Sequence, residues 1–407
     1  MSPGGTHRDG PRLVVQAWLG SRLLLALVLG WVLWSTGRAW RDVIGNWDVA
    51  HFLRIARDGY EARNEAAFFP GLPLLLRAAG SIGLDMTTVG IVISLVGSAF
   101  AAWAIWRLGG PRVGVVAAAL WLFAPTAVFT VVPYTESLFA ALAFWAWVRA
   151  RDGRWGWAAL LAAGACSVRV SGVFLIAALG VLALTGGGGV QHPSTRSGNE
   201  GGGPGNKGPG NDRTGSAYDR TGSTDDRTSW RKRLQSLAWL LVPTAVPIAY
   251  VAFLRVTKGS WTAWYDAQAA GWSRGLTWPW DSFRHTLPAI VPGAYADHPG
   301  WAAVFRFEVV SVVVGIVVTI VCLVLKRWAE ATWVGLQVVA FTTSYWFMSV
   351  NRAALLWFPL WLLLGSFATR PGRTRTARVV VILLWAVASG LLLIWWAARF
   401  FHGEWAS

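Results

Sequence analysis

The sequence has little lysine, little cysteine and few acidic residues, and each shortage narrows what the chain can be. Only four of its 36 Lys+Arg residues are Lys (207, 232, 258 and 326), while Gly numbers 45 and Trp 29, a composition that suggests a high-GC bacterial genome. Both cysteines, Cys166 and Cys322, lie in apolar runs, so they supply neither a disulfide framework nor a metal site. Asp and Glu together number 20, which leaves a net charge of +16. That surplus sits largely in short loops and in one polar insert, where membrane orientation and anionic lipid explain it without any nucleic acid. There is no P-loop, no GxGxxG after a strand, no HExxH, no CxxC pair and no DxD. Nucleotide chemistry, zinc chemistry and metal-assisted use of a nucleotide sugar therefore lack support, and no metal or cofactor is called for.

What is present is apolar. The 407 residues are 55% hydrophobic and 14% charged, in repeated runs of about 20 residues that match the ~30 Å hydrocarbon core of a bilayer. The runs fall near 13–36, 88–107, 113–132, 135–149, 156–184, 235–255, 302–325, 329–349, 353–369 and 379–400. The expectation is an all-α polytopic membrane protein of about 10–11 membrane helices, short and re-entrant segments included. Leu13–Thr36 is too long for a signal-peptide core and lacks a small-residue cleavage site, so it reads as a signal anchor. The many Trp suit belts at the two membrane surfaces.

Residues 185–230 are rich in Gly, Asp, Arg and Thr, with DRTG at 212–215 and 219–222, and are expected to be disordered. They divide the chain into an N-terminal membrane half (1–184), a low-complexity cytoplasmic linker (185–230) and a C-terminal membrane half (231–407). Arginines at 107–112, 149–154, 231–233 and 370–378 mark the cytoplasmic side. Loops 37–87 and 256–301 then face outward. Both ends of 156–184 come out cytoplasmic, so one crossing conflicts with the charges. Ser167, Arg169, Ser171 and Gly172 interrupt that run, which predicts two short helices that dip in and return, with Arg169 near the turn. Such an Arg needs a hydrated cavity or an anionic partner; pairing with a local carboxylate and binding of a phosphate are equally consistent.

The stretch NWDVAHFLRIARDGYEARNEAAFFPGLP at 46–73 is the place where a water-soluble group can react. As a helix from Trp47 to Tyr60 it is amphipathic, with Val49, Phe52, Leu53, Ala56 and Tyr60 on one face and Asp48, His51, Arg54 and Asp58 on the other. An interfacial anchor capped by Asn46 would explain the helix but not the FFPGLP turn after it. A second stretch, 124–144, opens a helix after Pro133, with Thr135 suited to its N-cap and Glu136 to its first turn. Loop 256–301 adds many Trp together with Asp266, Gln268, Arg274, Asp281 and His285. With this topology Asp42, Asp48, His51, Arg54, Tyr134, Glu136, Arg169, Asn351 and Arg352 gather at the outer leaflet. A one-sided set of carboxylates and guanidiniums in an apolar body suits an amphipathic substrate with phosphate and hydroxyl groups.

The motif W-D-x-x-H-F-L-x-I-A-x-x-G-Y (Trp47 to Tyr60), followed by A-F-F-P-G-L-P (Ala67 to Pro73), resembles the PIG-V family of integral-membrane mannosyltransferases. The resemblance extends to A-P-T-A-x-F-x-x-x-P-Y-T-E-S-L-F-A (Ala124 to Ala140), to S-V-R-V-S-G-V (Ser167 to Val173) and to N-R-x-x-L-x-x-F-P-L (Asn351 to Leu360). It implies a GT-C architecture and transfer of mannose from a polyprenyl-phosphate-mannose donor. The acceptor would be a glycolipid, a lipoglycan or a protein hydroxyl on the extracytoplasmic face of the plasma membrane. Asp48 matches the acidic residue of the family's first external loop, which carries the catalytic role in this architecture. The residue types fit an inverting displacement in which Asp48 is the general base and Arg169 or Arg352 holds the phosphate. His51, Arg54, Tyr134, Glu136 and Asn351 complete the expected substrate site. The alternative is a lipid-linked-sugar flippase or transporter that holds the carrier phosphate without cleaving it.

Overall fold

The computed structural model describes residues 6–186 and 222–406, and every regular element among them is helical. Helix α1 (Thr6–Thr36) is followed by the short α2 (Trp40–Ile44), α3 (Asp48–Asp58) and α4 (Gly71–Ser81). Then come α5 (Met86–Leu122), α6 (Thr135–Arg151), α7 (Trp155–Val168) and α8 (Ser171–Thr185). After the undescribed stretch the order is α9 (Gly222–Trp239), α10 (Leu241–Lys258), α11 (Ala263–Trp272), α12 (Pro279–Ile290) and α13 (Pro299–Val324). The chain ends with α14 (Trp328–Thr342), α15 (Val350–Ala353), α16 (Phe358–Thr369) and α17 (Arg375–His402).

Among the described residues, five stretches are long and apolar enough to cross a bilayer: Asp9–Thr36, Met86–Leu122, Trp230–Lys258, Gly300–Val324 and Arg375–His402. Val350–Leu356 and Phe358–Thr369, bent by 70° at Trp357, make a sixth if taken together. The chain is a multi-pass, all-α membrane protein. The apolar runs are not equal spans, however. Runs 88–107 and 113–132 share α5, which is kinked at Gly110–Pro111 and stops at Leu122, so 123–134 is largely non-helical. Of the expected linker, 187–221 lie outside the described residues; from Gly222 onward the chain is already helical.

The 156–184 run breaks as its sequence predicts. Helix α7 ends at Val168, Arg169 is extended, and α8 starts at Ser171. The chain reverses so tightly that a Cβ on Gly172 would lie 2.6 Å from the Cys166 Cα. In a continuous helix, residues six apart are separated by about 9 Å along the axis.

The Trp residues divide between surface and core. Trp34, Trp157, Trp261 and Trp278 are exposed, whereas Trp121, Trp147, Trp333, Trp357 and Trp396 are among the largest fully buried side chains. Two of the buried ones have a traceable task. Pro359 has no N–H for the Leu355 carbonyl, and the Trp121 indole donates to that oxygen at 2.8 Å. Trp333 donates to the next carbonyl, that of Leu356, at 2.9 Å. These bonds keep the bend before α16 hydrogen-bonded inside an apolar core, where an unpaired carbonyl would be costly.

Helices α3 and α4 lie against one another through Phe52, Ile55, Ala56, Phe68, Leu72 and Leu76. The turn between them is held by two tyrosines, since Tyr60 and Tyr250 each donate to the Phe68 carbonyl at 2.8 Å. Gly71 then lets α4 meet α7, because a Cβ there would sit 2.6 Å from the Ser167 Oγ and 2.7 Å from its carbonyl oxygen. That contact accounts for the glycine of the FFPGLP turn.

Candidate active site

Asp48 opens α3 directly after a strained residue. Trp47 has φ 58 and ψ −126, unusual for a side chain of that size, and its indole donates to the Glu404 carbonyl at 3.1 Å. Asn46 does not cap α3; its amide donates to the carbonyls of Val43 and Phe400. The Asp48 backbone N–H donates instead to the buried Tyr134 hydroxyl at 3.2 Å. Arg352 is placed by a similar device. Ser349, at φ 67, turns the chain into α15, and the fully buried Glu308 carboxylate accepts the N–H groups of Ser349, Val350 and Asn351 at 2.9, 2.6 and 2.9 Å. A carboxylate at a helix start satisfies its free donors, so it orders the turn that carries Arg352.

These two turns bring four charges into one chain of contacts. Arg352 Nη1 donates to Asp48 Oδ2 at 2.7 Å, and its Nε lies 3.6 Å from Glu136 Oε1. Arg169 Nη1 donates to the same Glu136 oxygen at 2.5 Å and to Thr135 Oγ1 at 2.8 Å. Glu136 is wholly buried, so its two guanidiniums are what make its charge tolerable there. Thr135 and Glu136 thus do more than start α6; Tyr134 occupies the N-cap position, with no side-chain capping bond. Arg352 also lies over the rings of Tyr134 and Phe129, with its guanidinium carbon 5.5 and 5.8 Å from their centres.

The network forms one wall of a cavity of about 330 Å³. Asp48, Arg169 and Arg352 line it together with Arg274, and Phe68, Trp264 and Trp272 supply aromatic surface. The volume lies in the range of pockets that hold small ligands, roughly 300–1,000 Å³. Residues 35–185 match the family model described as Mannosyltransferase (PIG-V). Over these residues the chain is similar to the PIG-V family.

The PIG-V stretch is 38% identical over 146 residues to the rat "GPI alpha-1,6-mannosyltransferase 2", covering 32% of this chain and 30% of the rat protein. The human protein of the same name is 35% identical over 145 residues (32% and 29%), and "GPI mannosyltransferase 2" of Cryptococcus neoformans is 28% identical over 144 (31% and 34%). The chain spans only about 30% of the length of the curated relatives it matches.

Asp48, His51, Arg54, Tyr134, Glu136 and Arg169 all fall inside the PIG-V segment, whereas Asn351 and Arg352 lie beyond it. Tyr134 and Glu136 stand behind the cavity wall, bonded to Asp48 and to the arginines. His51 stacks on Phe68 with ring centres 5.0 Å apart. Burial lowers the His51 pKa below its ordinary 6.5, opposed by Asp48 and reinforced by Arg54. Arg54 faces away and pairs with Glu65 at 3.7 Å. Asn351 is buried, accepting from Ser311 at 2.9 Å and donating to the Val304 carbonyl at 3.2 Å, so it anchors α15 on α13. Asp42 is exposed on α2 and does not line the cavity.

Sequence reasoning overlooked Glu308, whose signal was a single carboxylate in the apolar 302–325 run. It also left Arg274 among the mixed residues of loop 256–301.

Proposed function

We propose that this chain is a mannosyltransferase that moves mannose from a polyprenyl-phosphate-mannose donor to a hydroxyl of a lipid, lipoglycan or protein, with inversion. The carrying observation is Asp48: a carboxylate on a cavity wall, oriented by Arg352 at 2.7 Å and supported by Tyr134, within the segment that matches the mannosyltransferase family. The acceptor oxygen attacks the anomeric carbon and the bond from that carbon to the phosphate oxygen breaks. The hydroxyl proton goes to Asp48, and the carrier leaves as a phosphate monoester. A positioned base contributes about 10²–10⁴-fold to such a step. One displacement inverts the anomeric centre, and no second carboxylate is needed as nucleophile. Phe68, Trp264 and Trp272 offer faces on which a sugar ring can stack.

The site lies on the extracytoplasmic side of the plasma membrane in this reading. Its support is the length of α6, which separates Glu136 from the basic residues at 149–154 by about 20 Å, most of the ~30 Å apolar core. Basic clusters of that kind mark the cytoplasmic side. The relatives named above are mannosyltransferases, which favours transfer over transport.

The test is mannose transfer from radiolabelled polyprenyl-phosphate-mannose by membranes containing the wild-type chain or Asp48→Asn, with membranes lacking the chain as blank. Label that depends on the wild-type protein and falls at least 100-fold in Asp48→Asn is expected. Full transfer by an Asp48→Asn protein inserted at the wild-type level would remove Asp48 as the base. Counting lipid and protein fractions separately identifies the acceptor class.

A further inference from the structure

Arg169 and Arg352 are each already committed to a carboxylate. Arg169 is bonded to Glu136, and Arg352 is bonded to Asp48 and close to Glu136. Two guanidiniums against two carboxylates leave that network neutral. Arg274 lines the same cavity but, among the described residues, has no carboxylate within 4.0 Å. Its Nη2 donates to the Met348 carbonyl at 3.0 Å, its Nε is buried without a hydrogen-bond partner, and its guanidinium carbon lies 5.9 Å from the Phe341 ring centre. The nearby Glu308 carboxylate is engaged by three backbone N–H groups.

The loop holds Arg274 firmly. Ser273 turns the chain at φ 51, the Tyr265 hydroxyl accepts the Leu276 N–H at 2.7 Å, and Thr277 N–H donates to the Thr343 carbonyl at 2.9 Å. Through the Met348 carbonyl, Arg274 is tied to the residue just before Ser349, and hence to the turn that carries Arg352. It stands within electrostatic reach of Arg352, Glu308, Asp48 and Arg169.

We infer that Arg274 is the phosphate-binding residue of this cavity, receiving the phosphate of a polyprenyl-phosphate carrier and stabilising it as it departs. The assignment rests on the mannosyl-transfer reading for the identity of the ligand. A polyprenyl-phosphate sugar is a phosphodiester with one negative charge. When the bond from the anomeric carbon to oxygen breaks, that electron pair stays on the phosphate, which becomes a monoester with a second charge. A guanidinium fixed beside the phosphate and not in direct contact with a carboxylate gains most at that moment, so its contribution lies in the transition state. Arg169 and Arg352 instead hold the acids in register.

The experiment uses the full chain purified into lipid nanodiscs, with two readouts. Thermal unfolding is followed with polyprenyl phosphate or with neutral polyprenol, and kcat and KM are measured with polyprenyl-phosphate-mannose. In the wild type, polyprenyl phosphate raises Tm and polyprenol does not. In Arg274→Gln that phosphate-dependent rise is lost, and kcat falls about 10²–10³-fold, the range for removal of one preorganised donor. Equal stabilisation of wild type and Arg274→Gln by polyprenyl phosphate overturns the assignment. If Arg274→Gln does not fold, Arg274→Met decides, because it keeps an unbranched stem of similar length and loses the charge. At least tenfold weaker phosphate binding in Arg274→Met supports the assignment, and wild-type affinity overturns it. Arg274-dependent phosphate binding without any wild-type mannose transfer would support the site and refute the transfer reading.

Discussion

The Asp48 carboxylate and the Arg352 guanidinium meet at 2.7 Å although 304 residues separate them in sequence. Each stands one to three residues after a non-glycine residue at positive φ, Trp47 for Asp48 and Ser349 for Arg352. The contact therefore joins two strained turns, one from each half of the chain, across the wall of one cavity. Asp48 and Arg352 should be energetically coupled. A double-mutant cycle on Asp48→Asn and Arg352→Gln, read by thermal unfolding in nanodiscs, should give a coupling of about 0.5–3 kcal/mol. Strict additivity would mean that the pair contributes nothing to the fold.

Glu136 is the most exacting position of the network. Its carboxylate is wholly buried and shared by Arg169 and Arg352. Replacing it with Gln leaves Arg169 facing no charge and Arg352 with Asp48 alone, and breaking a buried pair in this way costs about 3–5 kcal/mol. The exposed Arg284, paired with Asp281 at 3.3 Å, is the control; Arg284→Gln should cost about 0–1 kcal/mol. Comparable Tm values for the two variants would show that Glu136 is not held as a charge.

Acidification should act through His51. Burial holds its pKa below the ordinary 6.5, so the folded protein resists protonating it while the unfolded chain does not. Above pH 6.5 there is no penalty; as pH falls below 6.5 the unfolded state takes up the proton first and stability declines. His51→Gln should lose less Tm than wild type between pH 7.5 and pH 5. Identical losses would locate the acid sensitivity elsewhere.

Gly71 tests the packing that brings the FFPGLP turn to the site. A Cβ there meets both the hydroxyl and the backbone of Ser167, so Gly71→Ala must push α4 from α7 at a cost of about 1–3 kcal/mol. Gly30→Ala, where nothing lies within 4 Å, should be tolerated. Unfolding temperatures of the two variants against wild type decide this.

Much of the architecture was legible in the sequence because bilayer spans are local. A run of apolar residues long enough for the hydrocarbon core must satisfy its own backbone, so helix follows from composition alone. The break at Arg169 was legible for the same reason, as Ser167, Arg169, Ser171 and Gly172 interrupt such a run. Asp48 stood out because it opens a polar, amphipathic stretch in an otherwise apolar chain. Asn351 and Arg352 show where local reading stops. They are neighbours in sequence, yet one side chain anchors α15 on Ser311 and Val304 while the other reaches Asp48.

The sequence by itself determined the helical class, the membrane character and the acidic loop, each a property of hydrophobicity over short windows. Only the tertiary structure decided which guanidinium meets which carboxylate, that Glu308 caps the turn bearing Arg352, and that Arg274 lines the cavity with, among the described residues, no carboxylate in contact with it. The physical reason is range. Backbone hydrogen bonding and apolar burial act within a segment, whereas charge pairing acts between side chains that only the packing of distant helices brings together.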